Sequence, residues 1–164
     1  MTLALGGVMF KFLQKKVDPN VYAPVSGKCI DIEKVSDVTF SSKCMGDGVA
    51  IVPEEGLVSA PFDGEIVMMF PTLHAFGIRR NDGVEALIHI GIDTVEANGV
   101  GFEKLASKNQ KISKGDPIIR FDKEKLSKEY DMTTMVIMTG GVDKGLKKLA
   151  LDQHVSASDA VMTA

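Results

Sequence analysis

The chain has 164 residues, 45% hydrophobic and 25% charged, the make-up of one globular domain with a buried core. A net charge of -3 argues against a nucleic-acid binder, which presents a basic face. Two cysteines, Cys29 and Cys44, lack the density of a disulfide scaffold and read as reduced, partly buried thiols, and no apolar run reaches the roughly 20 residues of a membrane span.

Residues 1–16 read as a leader. Their lysines follow the apolar stretch instead of preceding it, and no small-residue cleavage site comes next, which argues against a signal peptide. Segment 9–16, MFKFLQKK, reads equally as disordered chain or as a basic amphipathic turn resting weakly on an anionic membrane surface, and Met9 is an alternative start. Residues 17–164 read as a single domain. The whole chain's 16 glycines and 6 prolines fall mostly within this domain and cut it into short segments whose apolar residues alternate or run briefly, as in strands. The expected fold is all-β: an antiparallel β-sandwich, barrel-like, with a few short helical segments at residues 101–108, 122–130 (Asp122 as N-cap) and 143–151. A weak repeat, Ala23-Pro24-Val25-Ser26-Gly27 and Ala60-Pro61-Phe62-Asp63-Gly64, predicts two similar turns, each leading into a strand.

The chemistry concentrates in the middle of the chain. Between Val84 and Asp93, strand alternation puts Val84, Ala86, Ile88, Ile90 and Ile92 on a core face. Glu85, Leu87, His89, Gly91 and Asp93 then face the other way, Gly91 leaving room for an approaching group. In the preceding segment Thr72, His74 and Phe76 share a face. The intervening Arg79-Arg80-Asn81-Asp82-Gly83 is a hairpin signal. A loop at Asn81-Asp82 sets His74 opposite His89; one at Asp82-Gly83 makes them diagonal neighbours. Either register gathers Thr72, His74 and His89, while Pro71 points to an edge or bulge. Neutral imidazole is a nucleophile near pH 7, and phosphoryl transfer needs mainly positioning and charge stabilisation. Two histidines on adjacent strands are also half of a zinc site, with Asp93 as a third donor. The residues alone leave both readings open.

These residues resemble a known family. His89-Ile90-Gly91-Ile92-Asp93-Thr94-Val95 is similar to the phosphorylation motif of the glucose-class IIA domains of the bacterial phosphoenolpyruvate-dependent sugar phosphotransferase system. Phe70-Pro71-Thr72-Leu73-His74-Ala75-Phe76 resembles that family's second histidine motif. Asp37-Val38-Thr39-Phe40, Gly46-Asp47-Gly48-Val49-Ala50-Ile51 and Gly99-Val100-Gly101-Phe102 also fit, in order, so that the likeness runs from Val21 to Met162. The resemblance implies a phosphotransferase component that takes a phosphoryl group from the small carrier protein HPr onto His89. It would then give that group to a cysteine on the IIB domain of a sugar permease. His74 would contact the group and Thr72 would orient the site. Phe40, Met45, Phe70, Leu87 and Val95 would form an apolar docking surface edged by Asp37 and Asp93. The resemblance also implies a cytoplasmic protein, peripheral at the inner membrane face if the leader binds there. No cofactor is required. In some members regulated enzymes or transporters bind the same face, sometimes with zinc held by both histidines, here His74 and His89.

Two rival classes fit less well. A lysostaphin-like zinc peptidase would want a His-x-His pair and an export signal. A biotinyl or lipoyl carrier would want an exposed Met-Lys-Met hairpin, and Lys123 reads instead as the start of a charged helix. His154, the remaining histidine, reads as a surface residue.

Overall fold

Segments of a few residues between glycines and prolines are too short to nucleate helices, and pair across the chain as strands. The computed structural model describes residues 16–143 and 145–164; the leader expected at 1–16 falls outside these except for Lys16. Every strand pairing among the described residues is antiparallel. One sheet holds β2 (Gly27–Asp31), β3 (Asp47–Pro53), β5 (Gly64–Met69), β6 (Ala75–Arg80), β7 (Glu85–Ile90), β9 (Lys111–Ile112), β11 (Thr134–Gly140) and β13 (His154–Val155). Its order is β13-β2-β3-β11-β7-β6-β5-β9. Two three-stranded sheets complete the fold. In one, β1 (Asn20–Tyr22) and β12 (Lys147–Lys148) flank β14 (Ala160–Thr163); in the other, β4 (Leu57–Ser59) and β8 (Phe102–Lys104) flank β10 (Pro117–Phe121). Among the described residues no sheet closes on itself, so the sandwich is open and not a closed barrel. No described helix is long and apolar enough to cross a membrane.

The repeated turns lie side by side. Tyr22 N–H donates to the Pro61 carbonyl at 2.9 Å and Ser59 N–H to the Pro24 carbonyl at 2.8 Å, and each turn ends in the glycine that opens β2 or β5.

The eight-stranded sheet is apolar on both faces, which places the site. One face carries Val49, Ile51, Phe76, Ile78, Ala86, Ile88, Ile90 and Val136 into the main core, against Val58, Ile118, Ile119 and Met162 of the smaller sheets. The other carries Ala50, Ala75, Leu87, Met135 and Ile137 into a smaller cluster with Ile32, Val35 and Phe40. That cluster is covered by a 3-10 turn at Ile32–Lys34 and a single helical turn, α1 (Val38–Ser41), capped by the carboxylates of Asp31 and Asp37, which accept from Glu33 and Thr39 N–H.

Of the three expected helical segments, only 122–130 begins as one: α2 (Lys123–Leu126), with the Asp122 carboxylate accepting from Lys125 N–H. Residues 101–108 instead supply β8 and 143–151 supply β12, both edge strands whose backbone groups are satisfied by a neighbour. Cys29 and Cys44 are both free, Cys29 buried and Cys44, contrary to expectation, exposed. Burial, helped by Asp152 and Asp31, pushes the Cys29 thiol up to about 11.

Candidate functional site

β7 is an interior strand, between β11 and β6. Its alternation is as expected: Ala86, Ile88 and Ile90 enter the main core, and Leu87 the smaller cluster, with half-buried His89 on that same face. The strand ends at Ile90, so Ile92 packs against the smaller cluster and not the core face expected of it.

The hairpin register differs from both placements read from the sequence. Arg80 N–H donates to the Val84 carbonyl at 2.8 Å, closing a three-residue turn with Gly83 at φ +93°. Pairs then run from Arg79↔Glu85 to Ala75↔His89. Phe76 therefore lies in the main core and does not share a face with His74. His74 stands beside Ile90, whose N–H donates to its carbonyl at 2.7 Å, and strict alternation would turn its ring away from His89. It escapes this because it precedes β6. Leu73 is left-handed (φ 58°), and bonds from Leu73 N–H to Phe70 O and from Phe70 N–H to Ala75 O close a turn that redirects the imidazole.

The two rings consequently meet, centroids 5.0 Å apart and nearly perpendicular. Phe40 lies 4.7 Å from the His89 ring and Phe70 5.1 Å from the His74 ring. Thr72 Oγ1 is 2.6 Å from His74 Nδ1. His89 Nδ1 is 2.8 Å from the Gly91 carbonyl, which can only accept, so Nδ1 carries the proton and Nε2 keeps a lone pair. Burial pushes the His89 pKa down to about 4, reinforced by His74 and opposed by the Gly91 carbonyl, Asp37 and Asp93. Burial also lowers the His74 pKa. Both rings are thus neutral near pH 7, the nucleophilic form.

Gly91 serves a different purpose from the one expected. It is buried, with φ +79°, and an added Cβ would lie 2.5 Å from Thr94 Cγ2 and 3.1 Å from Met132 Sδ. The glycine lets the chain turn so that its carbonyl faces back to His89; it does not open the site to a partner. Thr94, fully buried, was missed in the sequence, because the strand reading ran on through Asp93 and hid the turn in which its hydroxyl donates to the Ile90 carbonyl.

The expected docking residues divide into floor and rim. Phe40 and Leu87 are buried and form a floor instead of an accessible surface. Met45, Phe70 and Leu87 line one groove with Met68 and Thr139. Met45, Val95 and Val38, the last not anticipated, are exposed. Asp93 is exposed and left-handed (φ 60°), and Asp37 is partly exposed at the N-cap of α1. Asp93 does not complete a zinc site: among the described residues no three His, Cys, Asp or Glu side chains stand close enough to share an ion. An ion on His74 and His89 would need donors from a partner. His154 is exposed and pairs with Glu54 at 2.9 Å.

Comparison with known proteins adds to this geometry. The model of the family described as phosphoenolpyruvate-dependent sugar phosphotransferase system, EIIA 1, matches residues 19–143. Over 130 residues the chain is 44% identical to the PTS system glucoside-specific EIICBA component of Staphylococcus carnosus, covering 79% of this chain and 19% of that protein. It thus spans about a fifth of the length of that protein and of the PTS system glucose-specific EIICBA component of the same organism. It is 42% identical to the PTS system glucose-specific EIIA component of Buchnera aphidicola over 76% of this chain and 74% of that one. The glucose-specific EIIA component of Halalkalibacterium halodurans is 44% identical, with 76% and 72% covered. Among solved structures, the glucose permease IIA from Mycoplasma capricolum superposes with a TM-score of 0.79 at 34% identity, covering 90% of this chain and 96% of that one.

Proposed function

Because the chain belongs to the EIIA 1 family of the phosphoenolpyruvate-dependent sugar phosphotransferase system, we propose that it carries a phosphoryl group on Nε2 of His89. The observation that carries this reading is the bond from His89 Nδ1–H to the Gly91 carbonyl, which leaves Nε2 as the lone-pair nitrogen beside His74. The donor is the phosphohistidine of HPr. The Nε2 lone pair attacks phosphorus, the donor's P–N bond breaks, and its electron pair returns to the HPr imidazole. Onward transfer reverses the roles: a thiolate of the IIB domain of a sugar permease attacks phosphorus and the bond to His89 breaks.

Thr72 Oγ1 lies 2.6 Å from His74 Nδ1; in this reading the hydroxyl donates there, which leaves the Nε2–H of His74 for the equatorial phosphoryl oxygens. Met45, Phe70 and Val95 supply the apolar contact with both partners over the floor of Phe40 and Leu87, and Asp37 and Asp93 pair with basic residues at its edge. Any regulated enzyme or transporter that binds this protein, as in some family members, would use the same face. The protein acts in the cytoplasm, residues 1–16 serving at most as a weak membrane contact, and needs no resident cofactor.

Incubation with phosphoenolpyruvate, enzyme I and HPr should add one acid-labile phosphoryl group, detected by intact mass. A His89→Ala variant that accepts it at the wild-type rate would refute the assignment.

A further inference from the structure

We propose that Thr94 is a positioning residue that fixes the Gly91 carbonyl on His89 and so keeps Nε2 as the reacting nitrogen; this rests on the phosphoryl-carrier reading of His89. A neutral imidazole can hold its proton on either nitrogen, and the choice follows the bond the other nitrogen makes. Here that bond goes to one backbone carbonyl, so whatever fixes the Gly91–Ile92 peptide plane fixes the tautomer.

One restraint acts on that plane directly, and two act on the Ile90–Gly91 plane before it, which joins it at the Gly91 Cα. Ile92 N–H, on the far side of the same peptide, donates to the Asp131 carbonyl at 2.8 Å, and Gly91 N–H donates to the Thr133 carbonyl at 3.1 Å. Both are backbone bonds to the segment before β11. The third is a side chain. Thr94 reaches back across the turn, its hydroxyl donating to the Ile90 carbonyl, while its methyl stands where a side chain on Gly91 would have to go. It is fully buried, and its hydroxyl bonds to backbone inside the turn. Asp93 is left-handed and its carboxylate makes no capping bond to this turn, so the Thr94 hydroxyl is the side-chain tie across it. Removing that hydroxyl frees the Ile90 carbonyl, loosens the Ile90–Gly91 plane and, through the rotatable Gly91 Cα, leaves the Gly91 carbonyl held only by the Ile92 N–H bond on the far side of its own peptide.

The test reads the ring directly. Long-range proton–nitrogen spectra of the dephosphorylated full chain near neutral pH should show wild-type His89 as the Nδ1–H tautomer. Thr94→Val should show mixed tautomers and accept phosphate from phospho-HPr about 10- to 100-fold more slowly, the size of loss seen when the outer partner of a metal-bound histidine is removed. Thr94→Ser, which keeps the hydroxyl, should match wild type in both. A wild-type tautomer in Thr94→Val would overturn the proposal and assign the positioning to the Asp131–Thr133 backbone alone. If Thr94→Val fails to fold, Thr94→Ala carries the same test, and mixed tautomers in Thr94→Ser would overturn the proposal by themselves. A wild-type protein whose His89 is cleanly Nδ1–H yet takes no phosphoryl group would instead refute the carrier reading.

Discussion

His89 should remain uncharged far below the pH at which a free imidazole protonates, and this can be measured without any partner protein. Its pKa is driven from 6.5 to about 4, first by burial, then by His74. At about 1.4 kcal/mol per pH unit, that gap corresponds to roughly 3 kcal/mol of preference for the neutral ring. The sign follows from proton counting. Above pH 6.5 the ring is neutral in both folded and unfolded chains and contributes nothing to pH dependence. As pH falls below 6.5 the unfolded chain takes up a proton that the folded one refuses, so stability declines, and the decline levels off below about pH 4. Titrating the His89 ring by NMR should give a midpoint well below 5, and a midpoint near 6.5 would refute the reasoning. Carboxylates such as Asp31, Asp47 and Asp82, all with lowered pKa, lose their own stabilisation in acid. Stability is therefore compared between wild type and His89→Gln by urea unfolding from about pH 7 to 4.5. The variant should lose about 2 kcal/mol less over that range, the remainder falling below pH 4.5; parallel curves would mean that the folded ring titrates normally.

Other substitutions separate the site from the scaffold. Gly91→Ala combines a left-handed φ with a 2.5 Å clash on Thr94, and should cost about 2–4 kcal/mol in urea unfolding while slowing phosphoryl acceptance. His74→Ala should still accept phosphate from phospho-HPr but pass it on slowly; complete failure to accept would mean its role is misjudged. Asp82→Ala leaves buried Arg80 without the carboxylate that it contacts at 2.8 and 2.9 Å, and should cost about 2–3 kcal/mol with no change in phosphoryl transfer per folded molecule. Deleting residues 1–16 should leave phosphoryl transfer in solution intact, and a large loss of rate would contradict the leader reading.

What could be read from the sequence was governed by local rules, and what could not was governed by register and edges. The split of Ala86, Ile88 and Ile90 from Leu87 and His89 needs nothing beyond strand geometry, and the fold follows it. The paired Pro-x-x-Gly turns were also legible, because proline and glycine set the local backbone of each, although the bonds that fix them run from one to the other. The hairpin was not. Asn81-Asp82-Gly83 permits loops of two or three residues, and choosing a two-residue loop shifts every pairing by one. His74 reaches His89 only because Leu73 adopts a conformation uncommon for leucine, which no sequence pattern announces. The misassigned helices have a similar cause. Residues 102–104 and 147–148 are polar enough to look helical, but neighbouring strands offer their backbone a ladder, and that pairing decides.

The position of the site between two apolar clusters bears on how a carrier can be both loaded and unloaded. A histidine on an open polar surface would be largely protonated in mildly acidic conditions and a poor nucleophile; one sealed in a core could meet no partner. Here His89 projects from an interior strand into the smaller cluster, with Phe40 on one side and His74 on another, and remains half-buried. The packing removes enough water to keep the ring neutral. Asp37 and Asp93 act in the opposite sense, favouring the charged ring. The same two carboxylates would repel a phosphoryl dianion on Nε2, raising the energy of the loaded state. If His89 is the carrier proposed above, burial prepares the nitrogen to accept and the acidic rim opposes keeping what it accepts. On the proposed carrier reading, that combination suits an intermediate which takes a group from one protein and releases it to another.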